Sequence, residues 1–182
     1  MESEAPGGFA CAEVPNQSLF WESLGLCARR SGLPVERVLH LLDEGDREMH
    51  SSFRYGLAKG LSRYLAGLGT GFREIYVYGS SIGESANPAS DIDVIIIVEK
   101  KRDEVMNLLK SLDLSLTSHY RRLVGLEKTP ASLLDIHVIE RSKQDERTGP
   151  GAMFDGLHTR PICLWRSNPG SKGASLTGSP LQ

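Results

Sequence analysis

The sequence predicts an α+β fold, in which helices pack on a small mixed sheet. Three observations carry that expectation. Met49, Phe53, Leu57, Leu61 and Leu65 recur every four residues and give an amphipathic helix one apolar stripe. Three short runs rich in β-branched and aromatic residues, at 73–79, 91–98 and 133–139, read as strands. Between the second and third runs, Val105, Leu108, Leu109 and Leu112 again fall at helical spacing.

The elements follow in order. Residues 1–17 are dominated by Pro, Gly, Ser and Glu and read as a disordered N-terminus. Residues 18–44 form a helical extension. Ser18 caps a helix beginning Leu19-Phe20-Trp21, and Pro34 opens a second with Val35, Val38, Leu39 and Leu42 on one face, stopped by Gly45. Residues 45–140 are the compact domain. Its first helix runs from about Asp46, a good N-cap, to Ala66, with Gly67 and Gly69 as the stop; Tyr55 and Tyr64 on it read as packing residues. The strand 73–79 comes next, then a tight turn and a short helix starting near Ile82, with Asn87-Pro88 marking a loop. The strand 91–98 is apolar on both faces beyond Asp93, so it should be central and covered above and below. Asp103 to Leu112 is a helix. Residues 113–132 carry mixed signals and read as a strand or loop followed by a short helix from Tyr120 to Leu126, ending before Thr129-Pro130. Residues 141–167 are a polar extension in which 161–165 would add an edge strand, where Pro161 is tolerated. Residues 168–182 are a Gly/Ser/Pro-rich flexible tail.

Composition narrows the function. The chain has 182 residues, 40% of them hydrophobic and 24% charged, which is enough for one domain with segments to spare. A net charge of −2 leaves no broad basic footprint of the kind that non-specific nucleic-acid binders carry. Lys100-Lys101-Arg102 and Arg121-Arg122 read as solvated runs. Cys11, Cys27 and Cys163 lack the spacing of a zinc site or a disulfide framework, which points to a reducing, cytoplasmic compartment. The acidic start lacks the pattern of a secretory signal, and no apolar run is long enough to span a bilayer.

The chemistry concentrates in one stretch. The strand Ile75-Tyr-Val-Tyr ends at Gly79-Ser80, and after ten intervening residues comes Asp91-Ile-Asp93 at the head of the next strand. Residues two apart on a strand share a face, so both carboxylates leave the same side of the sheet. Two such charges repel, and Mg²⁺ suits a few carboxylates plus substrate phosphates. Glycine lets backbone approach a ligand closely, and the amides of Gly79, Ser80 and Ser81 with the Ser80 hydroxyl can donate to phosphate oxygens. A later strand carries Asp135, which a neighbouring position would bring onto the same patch; three acids can hold two Mg²⁺ ions. The pattern reads as phosphoryl or nucleotidyl transfer. His137 shares a face with Asp135 and would touch a reactant or simply pack. His119, near Arg121-Arg122, is a second candidate, for an acceptor groove.

Gly79-Ser80 followed by Asp91-x-Asp93 and a later strand acid resembles the minimal nucleotidyltransferases of the DNA polymerase β-like superfamily, over roughly residues 45–140; Pro88 and Ser90 also resemble that family's loop. The resemblance implies a polymerase β-like fold and transfer of a nucleoside monophosphate from a triphosphate, most readily ATP, to a hydroxyl. It implies Asp91, Asp93 and Asp135 as catalytic metal ligands, with Gly79, Ser80 and Ser81 holding the β- and γ-phosphates. The chain departs from the family where basic residues often follow the Gly-Ser pair: here Ser81-Ile82-Gly83-Glu84-Ser85 stands. That departure keeps a second reading open, a weakly active binding module such as the antitoxin of a toxin–antitoxin pair, with a helical protein partner.

Overall fold

The computed structural model describes residues 16–69, 71–144 and 160–167; the N-terminal 1–15, residue 70, the polar 145–159 and the tail from 168 onward lie outside the described residues. The element order is α1 (Asn16–Ser31), α2 (Val35–Glu44), α3 (Arg47–Gly67), β1 (Phe72–Tyr78), β2 (Ile92–Val98), α4 (Asp103–Val124), β3 (Leu134–Glu140) and β4 (Ile162–Arg166).

The helix signals in the sequence act as expected at α2 and α3. Asp46 caps α3 by accepting a hydrogen bond from the Met49 amide at 2.9 Å. Gly45, in the left-handed region at φ 82°, ends α2. Pro34 sits at the N-cap of α2 rather than inside its first turn. The α3 stripe from Met49 to Leu65 is buried throughout. It packs with α1, α2, α4 and one face of the sheet into a single core. Two glycines let α1 seat closely on α3. A Cβ on Gly60 would come 2.8 Å from Leu19 Cδ2, and one on Gly56 would come 3.0 Å from Ser23 Cα.

The sheet is mixed, in the order β3-β2-β1-β4. β1 pairs antiparallel with both β2 and β4, while β2 and β3 are parallel and joined through α4. β4 is the edge strand expected around 161–165. β2 is central, and its alternate residues are buried on both faces. Val94 and Ile96 join the helical core, while Ile95 and Ile97 join a second cluster with Tyr76, Tyr78 and Ile139 on the opposite face.

Three expectations are corrected. α1 already begins at Asn16, so Ser18 lies inside its first turn rather than capping it. Residues 113–124 are neither strand nor loop: α4 runs unbroken for 22 residues. Leu112, Leu116, Tyr120 and Val124 all point into the core at four-residue spacing. Only a short 3-10 turn, Leu126–Lys128, follows it. No helix starts at Ile82. The chain makes one 3-10 turn at Gly79–Ser81, with the amides of Ile82 and Gly83 both donating to the Gly79 carbonyl at 3.2 Å. The turn cannot propagate, because Glu84 already sits at positive φ, 54°.

Candidate active site

The bend and the three acids lie at one end of the sheet, where β1 ends and β2 and β3 begin. Tyr78 pairs with Asp93 across β1 and β2, and Asp93 pairs with Asp135 across β2 and β3. Neighbouring strands lie about 4.8 Å apart, so Asp93 and Asp135 are side-by-side neighbours. Both stand on the face away from the helices, together with Tyr78 and His137. Asp91 precedes β2 and is half-buried, as is Asp93, whereas Asp135 is exposed.

The bend and the acids are in contact. Gly79 adopts φ 71°, and its Cα faces the Asp93 carboxylate. A Cβ there would fall 2.1 Å from Asp93 Oδ2. Only glycine fits both the conformation and the space. The loop after the bend is pinned from α3. Ser51 Oγ donates to the Ser80 carbonyl at 3.1 Å and accepts from the Ala86 amide at 3.0 Å. Residues 87–90 form a tight turn of their own, in which the Ala89 amide donates to Asn87 Oδ1 at 2.8 Å and the Asn87 amide donates to Ser90 Oγ at 3.0 Å.

The start of β3 is held by Asp113 on α4. Its carboxylate accepts from the Leu134 amide at 2.9 Å, from Ser132 Oγ at 2.6 Å and from Thr117 Oγ1 at 3.1 Å. That anchor lies one residue from Asp135. Neither Ser51 nor Asp113 stands out in the sequence, since each acts through backbone far along the chain.

The three acids share one field. Burial, then the charges of Asp91 and Asp135, push Asp93 up to about 6, with His137 pulling the other way. The same acids, after burial, hold the Tyr78 hydroxyl at about 12. His137 Nε2 lies 3.3 Å from Asp135 Oδ2, and its ring centroid is 6.4 Å from that of Tyr78. Among the described residues, no three His, Cys, Asp or Glu side chains are closed up into a metal-holding set. The carboxylates occupy one patch without converging on one point.

Ser81 is buried, and its hydroxyl has no hydrogen-bond partner among the described residues. It lines a cavity of about 350 Å³ with Ser52 and Tyr55 of α3, Ile162 of β4 and Arg30 of α1. Arg30 thus shares the cavity's lining with Ser81 and with Glu84, a carboxylate. His119 does not line a groove at the acid patch: its ring packs 5.9 Å from that of Phe20 on α1, and Nδ1 bonds the Ser115 carbonyl at 3.0 Å. Arg121 Nη2 donates to the Ala131 carbonyl at 3.2 Å, bracing the loop before β3.

Residues 70–144 match the polymerase beta, nucleotidyltransferase family. That span opens just before β1 and closes just after β3, so it takes in the bend and all three acids. Over that span the chain is similar to polymerase beta-type nucleotidyltransferases. No curated protein matches the chain. Among solved structures it is similar to a provisionally assigned nucleotidyltransferase from Sulfolobus solfataricus, at 19% identity over 72% of this chain and 96% of that one, with a TM-score of 0.36. A likeness that loose carries no weight for function. Among the described residues, no helix is long and apolar enough to cross a membrane.

Proposed function

We propose that the protein is a metal-dependent nucleotidyltransferase, which moves a nucleoside monophosphate from a triphosphate, ATP first among them, to a hydroxyl acceptor. The observation that carries this reading is the contact between Gly79 and Asp93, because it lets one ligand touch the bend and the acids at once. The donor set fits Mg²⁺. Three hard carboxylates share a patch in which burial, then the charges of Asp91 and Asp135, hold Asp93 up near 6, and a divalent cation would relieve that repulsion. Asp91, Asp93 and Asp135 would hold it, and two ions suit this number of acids. When bound, the metal neutralises triphosphate charge and makes the acceptor hydroxyl more acidic.

The chain's own residues do the rest. The amides of the 79–81 turn and the Ser80 hydroxyl bind the β- and γ-phosphates. The acceptor oxygen forms a bond to the α-phosphorus as the bond to the bridging oxygen breaks, and pyrophosphate leaves with that electron pair. The acceptor's proton passes to Asp135, which His137 orients. Positioning and charge neutralisation supply most of the acceleration in such chemistry.

The test is ATP labelled at the α-phosphate, incubated with Mg²⁺, the protein and a pool of protein, nucleic-acid and small-molecule acceptors. Wild type should transfer label, and Asp93→Asn should not. Transfer that survives Asp93→Asn would remove the mechanism. One observation favours a second reading, a binding module of the antitoxin kind: residues 81–85 hold no basic side chain. Metal-dependent ATP binding without transfer, together with tight capture of a helical partner, would support it.

A further inference from the structure

Arg54 is, among the described residues, the largest side chain with no exposed surface. It sits on α3 beside Phe53 of the apolar stripe, one turn after His50, which is also fully buried. An ionised group in a core is costly unless its donors are fully used. Arg54 uses them on the loop that delivers Asp91. Nε and Nη2 both donate to the Ser90 carbonyl, at 3.1 and 2.8 Å, and Nη2 also reaches the Pro88 carbonyl at 3.2 Å. Nη2 meets the Tyr120 hydroxyl at 2.7 Å and Nη1 meets His50 Nδ1 at 2.8 Å. His50 Nε2 lies 2.9 Å from the Leu42 carbonyl, which can only accept, so Nε2 carries the proton and Nδ1 is free to accept from Arg54. The network therefore ties α2, α3 and α4 to residues 88–90.

None of the ion pairs among the described residues involves Arg54. Burial disfavours its charge, while Tyr120 and then Asp91 favour it. Two carbonyls alone could be satisfied by a neutral donor at lower desolvation cost. A planar fork does more: gripping the carbonyls two residues apart fixes the path of the chain into β2.

We propose that Arg54 is a positioning residue for the acid patch: its fork holds Pro88 and Ser90 so that Asp91 stands beside Asp93 and Asp135. This rests on reading the patch as the transfer site. The experiment compares wild type, Arg54→Lys, Arg54→Met and Tyr120→Phe by amide hydrogen exchange at Asn87, Ala89 and Ser90, and by calorimetric titration with Mn²⁺ alone. Tyr120→Phe keeps the ring stacked on Phe53, at a centroid distance of 6.2 Å, so it remains informative if the Arg54 variants do not fold. In the folded Arg54 variants, exchange at 87–90 should rise about tenfold relative to β2 amides, and Mn²⁺ affinity should fall roughly 10- to 100-fold, as for other outer-shell partners of metal ligands. Arg54→Lys should retain more affinity than Arg54→Met, and Tyr120→Phe should show a smaller change in the same direction. A folded variant with wild-type exchange at 87–90 overturns the proposal, and so does faster exchange with unchanged Mn²⁺ affinity. If wild type takes up no Mn²⁺, the proposed function fails, while the exchange result still decides whether Arg54 holds the loop.

Discussion

Replacing Gly79 with alanine strikes the contact between bend and acid and nothing else nearby. The added methyl would lie 2.1 Å from Asp93 Oδ2 and 2.9 Å from its Cγ, on a residue at φ 71°. Holding a non-glycine residue in the left-handed region costs about 1–2 kcal/mol. Turning Asp93 off its preferred rotamer to make room costs about 0.5–1.5 kcal/mol more. A total of roughly 2–3 kcal/mol should lower the melting temperature by about 4–12 °C for a protein of this size. The discriminating step is a double-mutant cycle read by thermal unfolding. With Asp93→Ala, the nearest remaining atom is the Cβ at 3.6 Å, an ordinary contact. Gly79→Ala should then cost only its backbone strain, giving a coupling of about 1 kcal/mol. A melting temperature unchanged by Gly79→Ala, or the same cost in both backgrounds, would refute the claim that the bend and Asp93 share one crowded space.

Other consequences follow from the same geometry. Asp93, held up near 6 from an unfolded value of 3.8, keeps its proton in the folded chain where the unfolded chain has lost it, so its contribution to stability falls as pH rises across that window. His50 has the opposite slope: burial, then Arg54, pushes it down to about 4 from 6.5, so its contribution falls as pH drops through that range. Asp93→Asn should therefore raise the metal-free melting temperature at pH 7.5 and leave only the His50 slope, visible as a melting temperature that climbs steadily from pH 4.5 to 6.5. Mg²⁺ at a hundredfold excess over its dissociation constant should stabilise wild type by about 2.7 kcal/mol and Asp93→Asn hardly at all, as a thermal-shift titration would show. Asp113→Ala strands the Leu134 amide and should cost about 1–3 kcal/mol in urea unfolding, with faster exchange at the head of β3.

Much of this was legible in the sequence, because local rules and fold agree there. The four-residue stripe and the Asp46 cap define α3. The two-residue spacing pairs Asp93 with Asp91, though Asp91 lies just before the strand, which begins at Ile92. Asp135 needed one further step, since its place beside Asp93 depends on β3 pairing with β2 in parallel register, and strand order is not local information. Helix α4 was harder. Its second half interleaves Ser115, Thr117 and Ser118 with the apolar positions, residues that favour caps and turns. Tertiary contacts decide otherwise: Leu116, Tyr120 and Val124 are buried, and Thr117 Oγ1 accepts from the Leu133 amide at 2.9 Å. Arg54 was not readable at all. An arginine beside an apolar stripe looks like a solvated boundary residue, and the carbonyls that justify its burial lie 34 and 36 positions away.

The most direct measurement is a crystal structure of the protein soaked with Mg²⁺ and an ATP analogue that cannot be cleaved between the α- and β-phosphates. The account predicts metal density bounded by the carboxylates of Asp91, Asp93 and Asp135, with the β- and γ-phosphates against the amides of Gly79 and Ser80. A nucleotide bound elsewhere, or a triphosphate at the bend with no metal touching Asp93, would contradict it.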